Sequence, residues 1–137
     1  MSVFVDTSGF YAWLVGSEAA HKRVAASFEN LLGSGRALWT TSFVVVETMA
    51  LLQHRIGTNA ARTFDEDVLP VMRVAWVDDA LYRQGTERLW RADRRQLSLV
   101  DCVSFAFMKQ QGLTTAVALD PHFEQAGFSL LPGKQKA

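Results

Sequence analysis

Four carboxylates stand in surroundings where an acidic side chain calls for a reason. Asp6 follows the short apolar run Val3-Phe4-Val5, and Asp120 follows Ala116-Val117-Ala118-Leu119. Runs of this kind read as strands buried in a parallel sheet, and such sheets bind ligands beyond the carboxyl ends of their strands. A structural explanation competes, because aspartate also begins turns and caps helices. Asp6 stands where a helix would start. Glu47 lies within Phe43-Val44-Val45-Val46-Glu47-Thr48-Met49-Ala50-Leu51-Leu52. Helical spacing puts it on a face with Phe43, Ala50, Leu51 and His54, and the apolar flanks read as a buried helix. A carboxylate there is costly unless it is paired or holds a metal. A place on the solvent edge, or an arginine partner, would also explain it. Asp101 lies within Leu97-Ser98-Leu99-Val100-Asp101-Cys102-Val103-Ser104-Phe105. Ser98 and Asp101 have the spacing of a capping box, with Asp in place of the usual Glu or Gln. Negative charge is also favoured in a helix's first turn. Ser104 follows one turn later on the same face.

Taken together, the four acids ask for a cation. Two unit charges ~6 Å apart at an effective dielectric of ~20 repel by roughly 3 kcal/mol, and four charges make six such pairs. If they converge, either some protonate or a cation sits among them. Oxygen ligands select hard ions such as magnesium, manganese or calcium. Carboxylate-held divalent ions suit phosphate chemistry, where they activate water and stabilise the oxyanions of an in-line displacement.

Positioning those acids requires strands alternating with helices. Ser2–Val5 reads as a first strand, Phe10 to Leu14 has helical spacing, and Ala19 to Leu32 is an amphipathic helix closed by Gly33-Ser34-Gly35. Arg36–Thr40 is a second strand. Thr41 or Ser42 caps a helix running to about Ile56, and another covers Asn59 to Leu69 before Pro70. Met72–Val77 alternates as a third strand. Helices over Asp79–Ala92 and Ser98–Gln111 precede strands over Thr115–Leu119 and Phe128–Leu131. The alternation predicts an α/β domain with a central, mostly parallel sheet of four to five strands and helices on both faces. Residues 1–132 are expected to form one domain and 133–137 a flexible tail.

Composition bounds the function. The 137 residues fit one domain, and 49% hydrophobic against 20% charged residues supports a buried core. With 14 basic and 14 acidic side chains the formal charge is zero. A binder that holds nucleic acid by bulk charge is therefore excluded, though a local basic strip is not. Cys102 is the single cysteine, so neither an intrachain disulfide nor a cysteine-rich zinc site is possible. A reducing cytoplasm fits. No run approaches the ~20 apolar residues of a membrane span, and the N-terminus lacks the basic start and apolar run of a secretion signal.

Such a strip does occur. Tyr82 to Arg95 holds five arginines against Glu87 and Asp93, a local net of +3. Helical spacing places Arg88, Arg91 and Arg95 on one face. A solvated face with Glu87–Arg91 pairing is the plain reading, and a phosphate-binding strip is the functional one. Trp13, Trp39 and Trp76 sit in apolar runs and read as core, whereas Trp90 lies beside the arginines. His21, His54 and His122 show no metal-ligand spacing. His122, two residues after Asp120, could touch a substrate. Cys102 reads as a small buried side chain.

Four motifs, in order along nearly the whole chain, resemble the PIN-domain family, and in size and layout its VapC-type toxin ribonucleases of bacterial toxin–antitoxin pairs. They are Val5-Asp6-Thr7-Ser8, then Thr41-Ser42 through Glu47-Thr48, then Leu97 to Phe105 followed by Met108, and finally Ala118-Leu119-Asp120-Pro121-His122-Phe123 with Ala126-Gly127-Phe128. The resemblance implies a three-layer α/β/α domain and a metal-dependent endoribonuclease leaving 5′-phosphate and 3′-hydroxyl ends. It implies an acidic cluster of Asp6, Glu47, Asp101 and Asp120, with Asp6 and Asp101 holding Mg²⁺ or Mn²⁺. Thr7, Ser8 and Ser104 fall on positions that line the same pocket. It further implies an RNA substrate, a small antitoxin partner and a homodimer. His122 stands where some members carry a further acid, and Val100 where many have Thr. A non-catalytic module that binds RNA or protein is the alternative, but it gives no reason for four mutually repelling carboxylates. A phosphatase with Asp6 as nucleophile would want a second acid where Ser8 stands.

Overall fold

A computed structural model describes residues 2–133. Residues 134–137, most of the expected tail, lie outside the described residues. Gly133 itself accepts a hydrogen bond from the Arg23 guanidinium.

Five strands form one sheet: β1 (Val3–Val5), β2 (Leu38–Thr41), β3 (Arg73–Ala75), β4 (Thr115–Val117) and β5 (Ser129–Leu131). Their order is β3-β2-β1-β4-β5, and every pairing is parallel. The strand order reverses between β1 and β4, which is where open parallel sheets leave a crevice for ligands.

The helices are α1 (Thr7–Leu14), α2 (His21–Gly33), α3 (Ser42–Arg55), α4 (Thr58–Thr63), α5 (Asp79–Ala92), α6 (Leu99–Gln111) and α7 (Pro121–Gln125). Right-handed crossovers put α1 to α4 on one face of the sheet and α5 to α7 on the other. The side chains of β1 agree, because successive residues of a strand point to opposite faces. Phe4 meets Phe107 of α6 and Phe123 of α7, at ring-centroid distances of 6.0 and 6.2 Å. The other face holds Phe10, Phe28 and Phe64, with Trp13 stacked on Phe28 at 3.8 Å. All three residues of β1 are fully buried, so the central strand reads as an uninterrupted apolar run.

Three sequence expectations need correction. The single helix expected over 59–69 is α4, then one π turn over Phe64–Val68 and a 3-10 turn over Leu69–Val71. Leu69 donates to the Phe64 carbonyl five residues back. Pro70, with no N–H, cannot extend the helix further. α7 was not expected at all. Trp76, read as core, is 76% exposed, because β3 ends at Ala75 and its alternation does not carry on to residue 76.

Two glycines mark close approaches that fix the site. A Cβ at Gly9 in α1 would stand 2.5 Å from the Val117 carbonyl oxygen of β4. A Cβ at Gly85 in α5 would stand 2.4 Å from Val103 Cγ2 of α6. Only glycine lets these elements pack so tightly.

Candidate active site

At the crevice between β1 and β4, three of the four acids sit at helix starts. Asp6 is the N-cap of α1, and its Oδ2 accepts from the Ser8 N–H at 3.2 Å and the Ser8 hydroxyl at 2.8 Å. Asp120 is the N-cap of α7 and accepts from the His122 N–H at 2.8 Å. Asp101 lies in the first turn of α6, where its own N–H donates to Ser98 Oγ at 3.0 Å. The capping explanation and the functional one are thus both true of the same residues. Partially positive helix ends help hold carboxylates that would otherwise repel.

All four acids line one pocket of about 410 Å³, together with Thr7, Ser8, Tyr11, Glu18, Arg55, Gln96 and Ser98. Five acids therefore face a single arginine among the lining residues. Asp6 is 3% exposed and its Oδ1 has no hydrogen-bond partner. Burial pushes its carboxyl up to about 6, opposed by the Ser8 hydrogen bonds and reinforced by the charge of Glu47. Asp101 is 7% exposed. Burial raises it first, followed by the charges of Asp6 and Asp120, a hydrogen bond with Asp120 and the charge of Glu47, up to about 8. Burial and the neighbouring carboxylates thus both act against a charged Asp101, and a cation among these acids would relieve both.

Glu47 is exposed, so of the two readings the solvent-edge one holds and the buried-helix one does not. Val46 beside it is 64% exposed, so α3 turns an apolar but solvent-facing edge outward. Glu47 is positioned by the next residue, since buried Thr48 donates from Oγ1 to Thr7 Oγ1 at 3.1 Å. Thr7 and Ser8 line the pocket. Ser104 does not line it. Its fully buried hydroxyl donates to the Val100 carbonyl at 2.9 Å, one turn back along α6.

His122 is the residue that sequence reasoning undervalued. Its Nδ1 lies 3.0 Å from Asp120 Oδ1 and 3.4 Å from Asp101 Oδ2, although it is not aligned for a hydrogen bond to either. Asp101, Asp120 and His122 each offer a ligand atom within 4.8 Å of the other two. Asp6 faces the same pocket from outside this tight group. The signal was Pro121 directly after Asp120, a helix start that turns His122 back toward its own cap. Cys102 is buried, and burial and the Asp101 charge push its thiol up, which disfavours the thiolate a nucleophile needs.

The chain matches the family model described as "PIN domain" over residues 3–129. It belongs to the PIN-domain family. Among similar proteins, the 23S rRNA-specific endonuclease VapC20 of Mycobacterium tuberculosis is 36% identical over 135 residues, covering 92% of this chain and 95% of that one. The crystal structure of that VapC20, described as a sarcin-ricin loop cleaving toxin, superposes with a TM-score of 0.82 at 37% identity, over 93% of this chain and 96% of the other. A structure of VapBC2 from Rickettsia felis bound to a DNA fragment from its promoter shares the fold, with a TM-score of 0.71 at 11% identity, over 95% of this chain and 97% of that one. This PIN domain thus shares its fold with VapC20. Among the described residues, no helix is long and apolar enough to cross a membrane.

Proposed function

We propose that this PIN domain is a divalent-metal-dependent endoribonuclease and the toxin of a toxin–antitoxin pair. The observation that carries it is the convergence of Asp6, Glu47, Asp101 and Asp120 at the β1–β4 crevice, with Asp101 pushed up to about 8. The orphaned buried Oδ1 of Asp6 and the Asp101–Asp120–His122 group fit a hard cation. Asp6 and Asp101 would hold it, with Asp120 and His122 beside them. A bound Mg²⁺ or Mn²⁺ supplies Lewis acidity toward the phosphate oxygens and lowers the pKa of water.

The chain's own groups do the rest. Ser8 fixes the orientation of Asp6, and Ser98 fixes the first turn that carries Asp101. Glu47, exposed at the rim, takes the proton of the attacking water. The water oxygen bonds to phosphorus, the P–O3′ bond breaks, and the departing 3′-oxygen takes a proton from solvent, giving 5′-phosphate and 3′-hydroxyl ends. The kinship with a 23S rRNA-specific endonuclease supports RNA as substrate. The acidic pocket suits a neutralising antitoxin that inserts an arginine or lysine.

The test is cleavage of total cellular RNA by wild type and Asp101→Asn, with and without Mn²⁺ or Mg²⁺. Discrete metal-dependent products, lost in the variant, are expected and would be end-mapped on 23S rRNA first. Equal cleavage by both proteins would sink the assignment.

A further inference from the structure

A second cleft, of about 250 Å³, is lined in part by His122. Arg88, Arg91 and Arg94 stand at it, and Leu97, Cys102, Phe105 and Ala126 supply its apolar lining. The pairing that would make this a merely solvated face is missing. Among the described residues neither Arg88 nor Arg91 has a carboxylate within ion-pair distance, and Glu87 does not reach Arg91. The charge that is neutralised lies elsewhere, where Arg83 meets Asp79 at 3.6 Å. The helix end also reorganises the strip. α5 stops at Ala92, with Asp93 in the left-handed region at φ 50°, so Arg95 leaves the shared face. Arg94 turns instead toward Gln125, whose Oε1 accepts from both of its terminal nitrogens at 3.4 Å.

We propose that this cleft seats the nucleotide next to the scissile phosphate, its phosphate on Arg88 and Arg91 and its base on the apolar lining. Three unneutralised or neutrally bonded guanidinium groups and an apolar wall match the two halves of a nucleotide. His122 belongs to both sites, as a lining residue here and as neighbour of Asp101 and Asp120 there. The acidic group and the cleft therefore meet at His122. The subsite rests on the reading of this protein as a ribonuclease and adds where its substrate is gripped.

The experiment uses fluorescence anisotropy with a fluorescein-labelled single-stranded RNA of mixed sequence, about ten nucleotides long. The full chain is titrated in chelator so that no cleavage intervenes. The double variant R88Q/R91Q is expected to bind about 10-fold more weakly or worse at low salt, and its log K against log salt slope falls by about 1.4, the share of two single-strand phosphates. Ala126→Phe fills the cleft without touching charge and loses affinity as well. Arg83→Gln removes one charge outside the cleft and binds like wild type. Thermal melts accompany each protein, and exposed Arg91→Gln alone replaces the double variant if that one does not fold. Unchanged affinity in the arginine variants, or wild-type affinity in Ala126→Phe, overturns the subsite, as does a wild type that binds no RNA. Cleavage of total RNA with Mn²⁺ is scored in parallel. Variant-sensitive binding without wild-type cleavage would keep the cleft as an RNA-binding site and remove the nuclease reading, and with it the scissile phosphate. Cleavage with variant-insensitive binding would do the reverse.

Discussion

The Ser8 hydroxyl binds two strand ends at once, donating to Asp6 Oδ2 at 2.8 Å and accepting from the Leu119 N–H at 2.9 Å. It therefore orients the acid after β1 by reference to the segment after β4. Ser8→Ala removes both bonds. Leu119 is 41% exposed, so water can satisfy its N–H and the stability cost should stay near ~1 kcal/mol. Asp6, left with the Ser8 backbone N–H alone, should lose catalytic geometry, with kcat down roughly 10- to 100-fold and KM little changed. Steady-state cleavage kinetics beside a thermal melt check this. A variant with wild-type kcat would mean that Asp6 is held without Ser8.

Asp101→Asn should do more than stop cleavage. An unfolded aspartate titrates near 3.8, whereas burial and neighbouring acids push Asp101 up to about 8 and Asp6 up to about 6. Between those values the folded, metal-free protein keeps protons that the unfolded chain has released. The stability penalty is absent below about pH 4, grows as pH rises and is complete above about pH 8. In chelator the wild-type melting temperature should therefore fall between about pH 5 and about pH 8. The amide of Asn carries no such penalty, so the variant should melt higher than wild type near the upper limit, by roughly 5 °C or more. Saturating Mn²⁺ should raise the wild type and leave the variant nearly unmoved. A wild type whose stability rises over the same pH range would contradict the burial of these acids.

How far the sequence carried is best seen residue by residue. Asp6 and Asp101 were legible because an acid after an apolar strand, and an acid three residues after Ser98, are positional signals that survive folding. The strand alternation was legible for the same reason, as β1 and β4 are short apolar runs bounded by acids and turns. Glu47 stayed open between a buried helix and a solvent edge, because Val46 and Ala50 look like core and are not, and composition cannot tell the two apart. Arg95 was put on a helix face that ends three residues before it. His122 depended on α7, a helix of only five residues, too short for any periodicity to announce.

Gly9 sets how closely α1 approaches β4. A Cβ there would lie 2.5 Å from the Val117 carbonyl oxygen and 3.0 Å from its Cγ1. The carbonyl belongs to the sheet and cannot turn aside, so α1 must shift. Alanine's better helix propensity returns at most ~1 kcal/mol, against an overpacking cost of ~1–3 kcal/mol. Gly9→Ala should thus be destabilised, and the displaced α1 should cost activity beyond the loss of folded protein. Chemical denaturation gives the first quantity. Cleavage rates normalised to folded protein give the second, and normal rates would show that the Asp6–Asp120 arrangement tolerates the shift.

Metal preference offers a test of His122. Asp101 and Asp120 offer oxygen, but the third member of their group offers an imidazole nitrogen. Magnesium avoids nitrogen and keeps its water shell, whereas manganese binds nitrogen more readily. Wild type should therefore be more active with Mn²⁺ than with Mg²⁺ at equal low concentration. His122→Asp restores an all-oxygen set and should narrow that difference by improving the Mg²⁺ response. His122→Ala removes the nitrogen and adds no charge, and should narrow it by weakening the Mn²⁺ response instead. Activity titrations of the three proteins with each ion separate these outcomes. An unaltered Mn²⁺-to-Mg²⁺ ratio in both variants would place His122 outside the metal's reach, leaving it to the cleft with Arg88 and Arg91.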